Sequence, residues 1–300
     1  MMKKIAYIIS AYTDAPQLLR LVERLSNHGD FYVHVDAKID DTPFRQLLDG
    51  KVHFVPRHWI SWGGWSQVEY HRELLTAVIQ SGENYSHIVC LSGLDYPLWS
   101  PQSIVEYFNE NPDCQFIAGY NMTAGHFQFQ YITHYHFFRD LEWHNQWLKN
   151  KFIVASRWLM KPLWHKPPQV LIDNRLCDIY KGSDYWAITP DCACYVVEKL
   201  RQKPLCRYFK TSFVPSEMCL QTIIFNSPFA AQGLLHPDHN YPGLTHLSPL
   251  HFIDYNGAIK ILDESDYSRL FECGRMFCRK VVTGTSDRLV QMINSRALSL

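Results

Sequence analysis

The sequence predicts an α/β fold, with a mostly parallel central sheet and helices on both of its faces. Three observations predict it. Over the first 120 residues, short apolar runs alternate with segments of helical period, which is the signature of strand–helix–strand units. Two of these runs lead directly into acidic residues, Asp36 in HVDAK and Asp95 in LSGLDYPL, as expected where strands end at a ligand-binding edge. The 300 residues are 47% apolar, enough for a sizeable core.

Each element has its own signal. KIAYIISAY (4–12) reads as a first buried strand, followed by a helix from Pro16 to Leu25. FYVHVD (31–36) and VHFV (52–55) are the second and third strands. SQVEYHRELLTAVIQS (66–81) is a helix, with apolar residues at Val68, Leu74, Leu75 and Val78. Ser66 with Glu69 three residues on makes a capping-box pattern at its start. YSHIVCLSG (85–93) is the fourth strand, Ser103 to Asn109 a helix, and CQFIAG (114–119) the fifth strand. Residues 120–180, rich in His, Trp and Phe, read as irregular. YWAITPDCACYVVEKL (185–200) runs from strand into helix, and Pro215 to Asn226 is a further helix. The Pro-, Gly- and His-rich stretch 227–250 reads as loop. HFIDY, IKILDESDYSRLFECG and MFCRKV close the fold as strand, helix and last strand.

Composition excludes several classes of function. Charged residues are 19% and balance to zero, so no global field favours nucleic acid. The start MMKKIAYIISAY has too short an apolar run for a signal peptide, and no stretch approaches the roughly 20 apolar residues of a membrane span. The nine scattered cysteines are then expected to be reduced, and a cytoplasmic location follows.

Candidate residues sit where strands end or helices begin. In a parallel sheet, Ser10, Asp36 and the 92–96 loop converge at the carboxyl edge. Asp36 suits the hydroxyls or base of a nucleotide, or else a plain turn. Asp95 suits a substrate hydroxyl, or else an Asx-turn. In WISWGG (59–64), two glycines permit close backbone approach, while Trp62 and Trp65 fit a core. In GSDYWAIT (182–189), Gly182 and Ser183 make a small-residue turn; Tyr185 and Trp186 suit either a sugar or the core. Arg279 and Lys280 end an apolar element and suit a diphosphate, or else simple solvation. Glu217 follows Pro215 in the first turn of a helix, where the helix dipole alone accounts for an acid.

Taken in order, these strings make the chain resemble the core-2/I-branching family, which includes β-1,6-N-acetylglucosaminyltransferases and protein O-xylosyltransferases. The likeness runs from IAYIISAY to FCRKV. It implies a GT-A-type, Rossmann-like fold in a single domain of residues 1–300. Residues 1–120 would be the nucleotide-binding half and 121–300 the acceptor and catalytic half. It also implies a UDP-sugar donor, inversion at the anomeric carbon, and no metal or other cofactor. By position, Glu217 falls on the family's catalytic base and Asp36 on its uridine contact. Arg279 and Lys280 fall on the diphosphate cations. Ser10 would join the nucleotide site, while Asp95, Ser183, Asp184, Tyr185 and Trp186 would line the sugars. Three departures stand out: Ser216 replaces an Asp before the base, Cys278 and Val281 replace Ala and Phe around the cations, and Tyr12 replaces a His. The chain has no Asp-x-Asp pair of the kind that holds a divalent ion on a diphosphate, so the two cations would supply that charge.

Two alternatives remain open at this level. One is a non-catalytic nucleotide- or carbohydrate-binding protein on the same fold. The other is a metal-dependent hydrolase built on His126, His134, His136 and His144, although no HExxH spacing supports it. One segment stands apart from the resemblance. Trp147 to Pro168 holds five Lys or Arg and no acid, interleaved with Phe152, Trp158, Leu159, Met160 and Trp164. It reads as a lid over the acceptor cleft or as peripheral contact with the inner membrane face, near a lipid-linked glycan acceptor. A cytoplasmic bacterial enzyme of surface-polysaccharide synthesis fits these expectations.

Overall fold

The computed structural model describes residues 2–125, 128–160 and 165–297. Its strands in chain order begin with β1 (Lys4–Ala11), β2 (Gly29–Val35), β3 (His53–Phe54), β4 (Tyr85–Ser92), β5 (Asp95–Pro97) and β6 (Ala118–Asn121). They continue with β7 (Gln169–Ile172), β8 (Arg175–Asp178), β9 (Tyr180–Lys181), β10 (Ala187–Ile188), β11 (Leu234–His236), β12 (His251–Ile253) and β13 (Phe277–Arg279). The central sheet has the order β10-β4-β1-β2-β3, all parallel except β10.

Period-two alternation puts side chains of β1 on both faces of this sheet. Ile5, Tyr7 and Ile9 pack with the helices Ala15–Leu25, Thr42–Leu48 and Pro101–Glu110. Ala6 and Ile8 face the other way, against Ser66–Gln80, Pro190–Lys199, Lys203–Lys210 and Ser216–Phe225. Each large apolar side chain buried this way contributes about 1.5–3 kcal/mol. The predicted α/β class and mostly parallel sheet are therefore what the chain forms. A third core joins β5 and β13 to the helix Asp287–Ala297, through Tyr96, Leu98, Cys278, Leu289 and Ile293. That helix follows the strand expected to be last.

Residues 120–180 are more regular than the sequence suggests. Gln146–Met160 is a 15-residue helix, and β7 and β8 form a hairpin closed by Asp173 and Asn174, both at positive φ. An Asp-Asn pair tolerates the left-handed conformation that a two-residue turn requires. The stretch 227–250 contains β11, which pairs in parallel with β6. The expected capping box is absent. Ser66 is the first residue of its helix, its Oγ accepting from the Ser61 amide at 2.8 Å, and Glu69 takes the Trp65 indole N–H. The cap comes from far along the chain: the Asp140 carboxylate accepts from the amides of Trp65 at 2.8 Å and Ser66 at 3.1 Å. Gly64 permits this, since a Cβ there would lie 2.2 Å from an Asp140 oxygen.

Candidate active site

The carboxyl edge of the parallel strands gathers the first group of candidates. Ser10 lies level with His34 on β2 and Ser92 on β4. The amide of Asp36 donates to Ala11 O and that of Gly93 to Ser10 O, both at 2.9 Å. One carboxylate oxygen of Asp36 accepts from the amides of Lys38 and Ile60, and the other lies 3.3 Å from the Lys38 ammonium. Ile60 belongs to the WISWGG segment, so that segment folds over the Asp36 edge.

A second group is buried beneath this edge. Asp95 is fully buried, held by Arg279 at 2.7 Å, His251 at 3.2 Å and the Ser92 amide at 2.7 Å. Burial pushes its carboxyl pKa up, but Arg279, then His251 and the Ser92 amide, outweigh this and hold it below the ordinary range. Burial likewise pulls the Arg279 pKa down, and Tyr185 with the Asp95 charge more than reverses this. The Arg279 guanidinium sits 5.3 Å from the Tyr185 ring, which packs at 4.7 Å against His251. Both Asp95 oxygens are thus spent on the protein, which leaves Asp95 as the counter-ion of Arg279 rather than a sugar contact. Ser183 is also internal, donating to Leu247 O at 2.7 Å. Trp186 is fully buried against His71 and belongs to the core, out of reach of any sugar. Lys280 differs from its neighbour. It is partly exposed, with burial and Arg279 lowering its pKa, and its ammonium makes no ion pair among the described residues.

Glu217 anchors the third group. Helix Ser216–Phe225 lies along β9, with the Tyr180 amide donating to Thr222 Oγ1 and the Gly182 amide to Glu217 O. Gly182 allows this approach, because a Cβ there would lie 3.0 Å from the Gln221 side chain of the helix and 2.1 Å from Ala118 O on β6. β9 therefore delivers Lys181, whose ammonium lies 3.2 Å from Glu217 Oε2. The lysine side chain is only 7% exposed and the glutamate 32%. The ammonium also donates to Gln128 at 2.6 Å and lies 5.2 Å from the Tyr131 ring.

Asp184 completes the group. Its Oδ2 accepts from Ser216 Oγ at 3.1 Å, and its buried Oδ1 has no partner among the described residues. Burial and the Glu217 charge push its pKa up to about 7, against the pull of Ser216, Lys181 and Arg279. Asp184 thus feels the charges of Glu217, Lys181 and Arg279. Ser216, the departure beside Glu217, is accounted for: its hydroxyl supports Asp184.

The tryptophans of WISWGG divide. Trp65 is buried as expected, but Trp62 is 71% exposed, edge-on to Phe213. The Val214 amide donates to Gly63 O, so this loop rests on the turn leading to Glu217.

The chain matches the family model for "Core-2/I-Branching enzyme" over residues 5–254. It belongs to the core-2/I-branching family. The mixed α/β fold with its mostly parallel sheet is consistent with a GT-A-like fold in that family. The chain is 22% identical to rat (Rattus norvegicus) xylosyltransferase 2 over 97% of its own length and 33% of the relative's. It is 23% identical to human (Homo sapiens) N-acetyllactosaminide beta-1,6-N-acetylglucosaminyl-transferase, over 71% of this chain and 50% of that one. The chain therefore spans about a third to a half of these relatives.

Sequence reasoning missed Lys181, His251 and Asp140. Lys181 directly precedes the Gly182–Ser183 turn, but it lies at the border of a segment read as irregular. His251 and Asp140 act only through long-range contacts that no local pattern announces. Of the histidines weighed for a metal, His126 lies outside the described residues. His136 is buried and bonded to Gln130 O, and His134 pairs with His165. Among the described residues, no group of three His, Cys, Asp or Glu is placed to hold a metal ion.

Proposed function

We propose that this member of the core-2/I-branching family is an inverting glycosyltransferase. It would move GlcNAc or xylose from a UDP-sugar to a hydroxyl of a glycan acceptor in surface-polysaccharide synthesis, on the cytoplasmic side of a membrane. The observation that carries the reading is the Glu217 carboxylate. It is partly exposed, held through one oxygen by buried Lys181, and set beside Asp184. Its other oxygen has no hydrogen bond among the described residues and is open to an acceptor hydroxyl.

In this reaction Glu217 takes the proton of that hydroxyl as the oxygen attacks the anomeric carbon. The bond to the UDP oxygen breaks on the opposite face. Base assistance of this kind contributes typically 10²–10⁴-fold. Lys280, with no ion pair among the described residues, takes the charge developing on the diphosphate, and Arg279 backs it from its buried pair with Asp95. Asp36 and Ser10 would seat the uridine at the strand ends. The cation Lys280, backed by Arg279, and the absence of an Asp-x-Asp pair support a reaction without a metal ion.

A second reading assigns the proton to Asp184, because its raised pKa and unpartnered Oδ1 are properties of a base. Two variants separate the readings in a UDP-release assay run in EDTA with UDP-GlcNAc or UDP-xylose. Glu217→Gln should abolish turnover while calorimetry still shows UDP binding. Near-normal turnover in Glu217→Gln together with a dead Asp184→Asn would transfer the role to Asp184. Turnover that appears only when divalent metal is added would overturn the metal-independent mechanism.

A further inference from the structure

The helix Gln146–Met160 is built inside out. Its face toward the protein carries Lys149, buried and donating to Ser61 Oγ at 3.0 Å, and buried Ile153. Its solvent face carries Trp147, Leu148, Phe152, Val154, Trp158 and Leu159, with Trp158 78% exposed and Trp147 65%. At 100° per residue these six fall within one continuous stripe, which is normally the buried side of a helix. Lys151 lies in the same stripe, its ammonium 5.6 Å from the Trp147 ring, and exposed Arg157 flanks it. No acid occurs from Trp143 to Ile172. A patch of this kind on a soluble surface marks a docking site.

We infer that this face docks on an anionic phospholipid bilayer. The combination of Trp and Leu with Lys151 on one helix face, and Arg157 beyond its edge, matches the headgroup–acyl boundary, where indole rings and long cationic stems each reach their preferred depth. A second copy of the chain fits poorly. It would set Lys151 and Arg157 against the same cations, with no acid in this segment to pair them. A lid closing on the protein's own cleft fits poorly too, because Lys149 and Ile153 fix the opposite face to the body and, among the described residues, only the Phe152 edge of the stripe touches the protein, at Phe138 and Trp143. Through Lys149 and Ser61 the helix is fixed to the WISWGG segment, so a docked membrane lies on the same side as that segment. The substrate class this favours is a glycan on a lipid anchor, and that part alone rests on the function proposed above.

Vesicle flotation tests the docking without turnover. The probes are phosphatidylcholine vesicles with and without phosphatidylglycerol, at low and raised salt. The full chain should float with the anionic vesicles at low salt and be released as salt rises. The triple variant Trp147→Ser, Trp158→Ser, Leu159→Ser, and separately Lys151→Glu with Arg157→Glu, should each bind at least about tenfold more weakly. UDP release onto a soluble acceptor should be unchanged in both. Absence of flotation by the unmodified chain at low salt overturns the inference, as does undiminished flotation by both variants. A dimer seen by light scattering and lost in the triple variant assigns the face to a second copy. Loss of turnover on the soluble acceptor in that variant assigns it to a lid. Flotation by a chain that turns over no sugar leaves the docking intact and sinks only the proposed reaction.

Discussion

Lys181 sits in a nearly dry setting, so its removal acts on more than one hydrogen bond. Lys181→Met takes away a cation 3.2 Å from Glu217 and one of the influences that lowers the Asp184 pKa. Asp184 should then hold its proton to higher pH. The expected outcome is an acid limb of the pH–rate profile moved upward by about one unit and kcat down at least about tenfold near neutral pH. Lys181→Arg should restore most of both, since it keeps the charge. A purely structural role would lower stability without moving the limb. Asp184 allows a second residue-scale test. Its pKa in the folded protein, about 7, lies above the ordinary carboxylate value, so between about pH 4 and 7 the folded state binds the extra proton. Its contribution to stability is therefore present at low pH and lost as pH rises through 7. Asp184→Asn should raise Tm at pH 8 by about 2–5 °C relative to the unmodified chain and have little effect at or below about pH 4, as read by thermal melts.

Among the elements, the cap on helix Ser66–Gln80 ties two distant parts of the chain together. Asp140→Ala leaves two amides at a helix start without an acceptor and should cost about 1–2 kcal/mol in urea unfolding. Limited proteolysis should also cut the 128–160 segment faster than in the parent. This cap shows where sequence reading succeeds and where it stops. β1, β2 and β4 were legible because their apolar runs are buried on both faces, and the Asp36 edge followed from strand direction alone. The helix Gln146–Met160 was not legible, because most of its apolar residues face solvent and its anchors, Lys149 on Ser61 and buried Ile153, are tertiary. The hairpin of β7 and β8 did carry a signal, Asp173-Asn174 between alternating residues, which passed unread inside a His- and Trp-rich stretch. The Ser66–Glu69 pattern misled because Ser66 and Glu69 found other partners, and only the folded chain brings Asp140 to the amides.

For the whole molecule, the Asp95–Arg279 pair ties β5, just past the end of β4, to the late strand β13 within the sheet β12-β13-β5. Arg279 and Lys280 were read from the sequence as equal partners on a phosphate, and burial separates them. Breaking a buried pair from one side leaves an uncompensated charge, at about 3–5 kcal/mol. Arg279→Ala should therefore lower Tm markedly, whereas Lys280→Ala should leave Tm nearly unchanged and weaken UDP binding, as seen by calorimetry. The same pair sets a practical boundary. The family match ends at Asp254, and a tidy expression fragment cut there would look complete by alignment. Such a fragment would strand Asp95 as a buried anion, and would leave β5 with a bare edge where β13 had been. It should aggregate when made, and supplying residues 255–300 as a separate chain should rescue its solubility. The length needed to fold is thus set by one carboxylate near the first third of the chain, rather than by where similarity to relatives fades.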